Sequence, residues 1–277
     1  MTADPTKSIT PRDPGFSFAD DLPVYWHSND PAISHFYNGL SLTFPEGERF
    51  FVDSVRHFAD QITDPKLKSD VRGFAGQEAI HSREHVVYNQ YLAKQGLEPE
   101  KIERLVTFGL RMGRKLPKKT QLAITCALEH YTALFAEAIL ENPKVMKGAH
   151  PQFANLWRWH ALEESEHKAV AFDVFKTVDP GVRGYLRRIV SMTLTTINFN
   201  LSALGNQIYL MKKSGELTNW RSWVRSLNHL WGRDGVWRHV IKGVFSYYRP
   251  SFHPNDRDTD ALVAKWRTWY AADIQSS

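Results

Sequence analysis

The sequence predicts an all-α protein, a four-helix bundle with a C-terminal helical appendage. Three observations point there. Glu-x-x-His occurs twice, as Glu78/His81 and Glu164/His167. Each copy follows a further Glu on a helical pattern, Glu48 thirty residues before Glu78 and Glu129 thirty-five before Glu164, about one helix hairpin apiece. Long helical patterns run between Pro and Gly breaks.

The elements follow in order. Residues 1–43, rich in Pro, Asp and Ser, read as an irregular arm, whose Phe16, Phe18, Tyr25, Trp26, Phe36 and Tyr37 are expected to pack on the rest of the chain. The bundle proper spans residues 44–180. Pro45 suits the first turn of a helix reaching about Ile62, with Glu48 on the stripe of Phe51, Val52, Val55 and Ala59, and His57 on the opposite, solvated face. A second helix runs from about Pro65 to Lys94, closed by Gly96, and carries Glu78, His81 and His85 on one arc. A shorter stretch, about 99–114, precedes Pro117, and a third long helix from Lys118 to Glu141 carries Glu129. The small residues beside Glu129, namely Thr125, Thr132, Ala133 and Ala136, either wall a substrate or oxygen cavity or let helices pack closely. The fourth helix, about Pro151 to Val178, turns His160, Glu164 and His167 inward, with Glu163 at the edge of that arc and Glu166 facing away to the surface.

Residues 181–277 form the appendage. Ile189 to Met211 holds no charged residue, but its many Ser, Thr and Asn side chains suit an amphipathic helix better than a membrane span; Ile189, Ile197, Leu201, Leu204, Ile208 and Met211 form the stripe expected to cover the bundle. The following segment sets Trp220, Trp223, Trp231, Trp237, Tyr247 and Tyr248 among Arg and Lys, a composition fitting either an interfacial helix or a small satellite core.

With 277 residues, a net charge of +5 and no long basic run, the chain suits a globular protein and gives no sign of a nucleic-acid arm. The lone Cys126 excludes an intramolecular disulfide and a thiolate metal site, and no signal peptide is visible, so the expected location is cytoplasmic, with peripheral contact at the inner membrane through the C-terminal region as a further option.

On a helix, Glu and His three residues apart lie about 60° from each other and reach one metal from one face. Two such helices facing two that each donate a carboxylate give the ligand shell of ferritin-like dinuclear proteins, so the bundle is expected to be ferritin-like. The candidate donors are Glu48, Glu78, His81, Glu129, Glu164 and His167, with His160 and His85 as further candidates. Glu78 and Glu164 are the natural bridges, and Glu48 and Glu129 the terminal carboxylates. His160, four residues before Glu164, could bind a metal or orient a carboxylate from outside, and His85 has the same two options, the outer one favoured. Glu163 and Tyr131 are candidates to assist proton transfer. Carboxylate and imidazole without thiolate suit two Fe ions, with Mn or Zn as alternatives.

The stretches Gln77 to His85, Glu129 to Ala133 and Trp157 to Lys168 resemble the bacterial family described as predicted metal-dependent hydrolases, over roughly residues 20–255. That resemblance implies hydrolysis. The ligand order is also similar to the arylamine N-oxygenases, such as p-aminobenzoate N-oxygenase, in which an additional His lies four residues before the last Glu-x-x-His. His160 matches that spacing and implies seven protein ligands and an oxygen-activating centre; His85 is a departure. The expected function is therefore di-iron oxidation or oxygenation of a hydrophobic small molecule with O2 as co-substrate and an external electron donor. Metal-dependent hydrolysis and non-catalytic metal binding are the alternatives. A homodimer is compatible with the sequence.

Overall fold

The computed structural model describes residues 8–275. Among them no β-strand forms, and an isolated bridge joins His27 to Ala149. The helices are α1 (Pro31–Ser41), α2 (Phe44–Arg56), α3 (Pro65–Lys94), α4 (Glu100–Gly113), α5 (Lys118–Glu141), α6 (Pro151–His167), α7 (Val170–Val178), α8 (Gly181–Lys213), α9 (Trp220–Trp231), α10 (Val236–Ser246) and α11 (Asp260–Asp273). The all-α bundle is as expected.

Local chemistry sets the two long helices that carry the first Glu-x-x-His and Glu129. The Asp64 carboxylate caps α3 by accepting from the amides of Lys66 and Leu67, and Pro65 occupies the first turn. Gly96, at φ +77°, follows its end in the left-handed region where a side chain would be strained. Pro117 marks the start of α5, which is the only helix among the described residues long and apolar enough to cross a membrane; it is instead the buried core helix of the bundle. Helix α2 packs on α3, and α5 on α6, so that four helices face one interior.

Several expectations need correction. The arm is not irregular throughout, because the Asp30 side chain accepts from the Ile33 amide and starts α1, every residue of which is buried. Helix α2 stops at Arg56, and a short 3₁₀ turn over Ala59–Gln61 continues toward Ile62. The expected single helix over 151–178 breaks after His167 into α6 and α7. Most consequentially, most of the α8 stripe faces the other way. Of the six residues expected to cover the bundle, Met211 is buried and Ile189 half-buried, but Ile197, Leu201, Leu204 and Ile208 face outward, whereas Ser191, Thr195, Asn206 and Gln207 are buried against the protein beside Met192 and Leu210. The reason is hydrogen bonding: Asn206 donates to the Gly39 carbonyl at 3.1 Å, and Gln207 to the Ala32 carbonyl at 2.7 Å. Those contacts clip α8 to α1, and Gly39 leaves the Asn206 side chain just room to approach.

The arm aromatics do pack on the bundle. Phe18 stacks on Tyr88 and Trp26 on Phe153, while Phe16 meets Trp159 edge-on. The Trp-rich segment divides: Trp237 and Tyr247 join the core, and Trp220 and Trp231 stay exposed. Helix α11 packs on α6, where Tyr270 joins Trp159 and Leu162 in a small second core.

Candidate metal centre

Four helices deliver seven buried donors to one interior volume: Glu48 from α2, Glu78 and His81 from α3, Glu129 from α5, and His160, Glu164 and His167 from α6. They group as three overlapping triads able to hold a metal, Glu48/His81/His160, Glu78/His81/Glu164 and Glu78/Glu129/His167. Glu78 and Glu164 look both ways. One Glu164 oxygen lies 2.9 Å from His160 Nε2 and the other 3.3 Å from His167 Nε2. One Glu78 oxygen lies 3.9 Å from His81 Nδ1 and the other 3.3 Å from His167 Nε2. Glu48 stands at the His160 side, 3.9 Å away, and Glu129 at the His167 side, 3.6 Å away.

The donor atoms test whether metals fit. Glu48 Oε1, both oxygens of Glu78 and of Glu129, His81 Nδ1 and His167 Nε2 are buried without a hydrogen-bond partner. Unpaired buried polar atoms are costly, and here they converge on each other. Burial pushes the carboxyls of Glu48, Glu78 and Glu129 well above the ordinary range, and the neighbouring carboxylates add to it for Glu78 and Glu129. For Glu164 the opposing effect of burial is outweighed by His167 and His160, which hold it well below that range. Two cations among four carboxylates and three imidazoles would give these atoms partners, so the residues fit a dinuclear centre.

A second layer aims the imidazoles. His81 Nε2 lies 2.9 Å from Glu163, which also accepts from the Arg12 amide and guanidinium at 2.9 and 3.1 Å. His167 Nδ1 donates to Gln77 Oε1 at 2.9 Å, leaving Nε2 toward the carboxylates. Ser41 donates to Asn89 at 2.7 Å and so accepts from His85 Nδ1 at 2.8 Å; His85 Nε2 then accepts from His160 Nδ1 at 2.7 Å, which turns His160 Nε2 toward Glu164. His85 thus stands behind His160, outside the triads. Tyr131 is turned away from the cluster, its hydroxyl donating to Thr196 at 3.1 Å and its ring packed on Phe199.

A narrow cavity of about 30 Å³ meets the cluster at His160 and Glu164, and Tyr37, Phe44, Phe135, Ala136 and Phe199 help to line it. Of the small residues flanking Glu129, Thr132 and Ala136 line this space. Thr125 instead hydrogen-bonds Ser54 at 2.7 Å between α2 and α5.

A family model described as predicted metal-dependent hydrolase matches residues 10–258. The chain belongs to that family. Neither curated proteins nor solved structures give a match.

Within this family member, His85 and Glu163 of the second layer were among the expected residues, and those that sequence reasoning missed are Arg12, Ser41, Gln77, Asn89 and Glu166. Glu166, expected at the surface, has a side chain only 1% exposed because Arg12 and Arg267 cover it. Gln77 links it to the centre, donating to Glu166 at 2.8 Å while accepting from His167. The one available signal was adjacency, since Gln77 and Glu166 each border a Glu-x-x-His residue. His57, by contrast, is exposed as the helix phase required.

Proposed function

We propose that this protein is a dinuclear metal enzyme and that its reaction is metal-dependent hydrolysis of a small molecule with an apolar body. The observation that supports this most strongly is the set of orphaned carboxylate and imidazole atoms converging from four helices, within a chain of the metal-dependent hydrolase family. Glu48, His81 and His160 would hold one metal, Glu129 and His167 the other, with Glu78 and Glu164 shared between them. Two bound divalent ions supply Lewis acidity and lower the pKa of water.

The protein's own residues do the rest. Phe44, Phe135 and Phe199 wall the approach to the cluster and exclude bulk water; at about 30 Å³ the space admits a water, so a substrate's apolar body enters only as these side chains part, and Thr132, which donates to Glu164, presents a hydroxyl there. Glu163, lifted by burial to about 8 despite Arg12, can hold or accept a proton at its bond to His81.

One observation favours a second reading, di-iron oxidation with O2. Four carboxylates stabilise higher oxidation states, and His160 gives one metal an additional imidazole beside a cavity lined mainly by apolar side chains. An electron donor would then be a partner.

The deciding experiment is elemental analysis of protein from iron-supplemented cells, followed by assays of nitrophenyl ester and phosphate hydrolysis with Fe, Mn or Zn in the absence of oxygen. Anaerobic turnover with about two metals per chain supports hydrolysis. Oxygen uptake that requires reduced iron, with no anaerobic turnover, transfers the assignment to the oxidase. A chain that takes up no metal overturns both.

A further inference from the structure

Eighteen large hydrophobic side chains are exposed among the described residues, and all lie on α4 and the turn after it, on α8, on α9 and the turn before it, or on α10. None lies on the four helices that build the metal centre. On α8 they form a single row, Val182, Leu186, Val190, Leu194, Ile197, Leu201, Leu204 and Ile208, at three- and four-residue spacing over about 39 Å of helix. Leu105, Phe108 and Met112 repeat the pattern on α4, and Trp220, Val224, Leu227 and Trp231 on α9.

Residues 98–120 are tied to α8 at both ends. Arg187 donates to Thr120 at 3.1 Å near the start of α8, and Tyr209 donates to the Glu98 carbonyl at 3.1 Å near its end. The segment that carries α4 therefore runs antiparallel to α8 between these two ties, while α4 itself packs on α2. Charge leans the same way. Residues 98–120 and 181–245 hold seventeen Lys or Arg and five acidic residues, a formal +12 in a chain of +5; Lys101, Arg114, Lys119, Arg187, Lys213 and Arg225 are paired with Asp or Glu, and the others supply the basic excess.

We propose that this side docks on an anionic lipid bilayer, with α8 lying in the plane of the interface and its outward row among the acyl chains. An amphipathic helix with an apolar face and basic flanks binds such a surface through buried apolar area and attraction to anionic headgroups. The orientation of α8 is what creates the face, since its other side is packed on α1 and α5, with Asn206 and Gln207 bonded to α1. A second copy of the chain is the weaker occupant, because pairing two like faces brings two basic surfaces together. Spanning is excluded by the buried Asn206, Gln207, Ser191 and Thr195, which hold the opposite side of α8 to the protein.

The test is co-sedimentation of the full chain with vesicles of phosphatidylcholine alone and of an equal mixture with phosphatidylglycerol, together with sedimentation velocity of the protein without lipid. Binding is expected to the mixed vesicles, weakened by salt and far weaker with phosphatidylcholine alone. The triple variant Leu194→Gln, Ile197→Gln, Leu201→Gln changes side chains that are 63%, 54% and 66% exposed, so its thermal melt should match the wild type while vesicle binding falls roughly a hundredfold. Arg111→Glu with Lys115→Glu should weaken binding about tenfold or more without touching the apolar row. The proposal is overturned if the wild type stays in the supernatant, if it binds both vesicle types equally, or if the triple variant binds as well as the wild type. A lipid-free dimer that the triple variant breaks would give the face to a second copy instead.

Discussion

Gln77 and His167 are joined by a 2.9 Å hydrogen bond that fixes which imidazole nitrogen faces the carboxylates. Because the Gln77 amide nitrogen also donates to Glu166, its orientation cannot reverse without breaking two bonds. Gln77→Leu keeps the bulk and removes both. Metal affinity should fall 10- to 100-fold, the usual cost of losing such a partner, measured by competition with a chelating dye. Unchanged affinity would show that His167 is oriented by packing alone.

Glu78 serves both halves of the site, with one oxygen toward His81 and the other toward His167. Glu78→Ala should therefore lose both metals rather than one. Added metal should raise the Tm of the wild type through binding linkage and leave the variant unmoved. One metal retained at full occupancy would remove Glu78 from the bridging position.

Arg12 reaches Glu163 and Glu166, whose side chains are 0% and 1% exposed. Arg12→Ala strips the guanidinium from Glu163 and leaves Glu166 with Arg267, and a loss of about 1 to 3 kcal/mol is expected in denaturant unfolding. Gly73 provides an independent route to the same defect, because a Cβ there would lie 2.4 Å from the Ile9 carbonyl oxygen and lift the arm off α3. Gly73→Ala should resemble Arg12→Ala, and a wild-type melt for both would place the arm elsewhere.

His35 and His229 are lowered to about 4 by burial, His229 also by the neighbouring His27. Unfolded, each titrates near 6.5, so between these values the unfolded chain binds more protons than the native one. Stability from these groups is complete above about 6.5 and declines as pH falls toward 4, by about 1.4 kcal/mol per pH unit for each. The double variant His35→Gln, His229→Gln should show a flatter profile between pH 7 and 5. Parallel profiles would refute it.

The donor set was readable because a helix period is fixed: once Glu78 and His81 lie on one helix, their angular relation follows, and the Asp64-Pro65 and Pro117 signals locate the helices. The outer layer was readable only in part, through His85 and Glu163, which share helices and faces with the donors. Glu166 does point away from the donors, as its phase says, yet it is covered by Arg12 from 154 residues before it. Periodicity cannot carry that information. Nor could it orient α8, since an apolar row specifies a face without saying what meets it, and α1 offers backbone carbonyls that only the polar side can satisfy. Helix α1 escaped for a related reason: buried Ser34, His35, Asn38 and Ser41 blur its pattern.

Glu166 also waits on synthesis. Arg267, which donates to it at 2.5 Å, is encoded 101 residues later, a delay of about 5 to 20 s at ordinary elongation rates. All seven donors leave the ribosome before that residue, so a nascent chain can assemble the ligand cluster while its flank is still open. When α11 arrives it sets a second guanidinium, that of Arg267, beside the Arg12 already on Glu166, so the outer layer is the last part of the site to be completed.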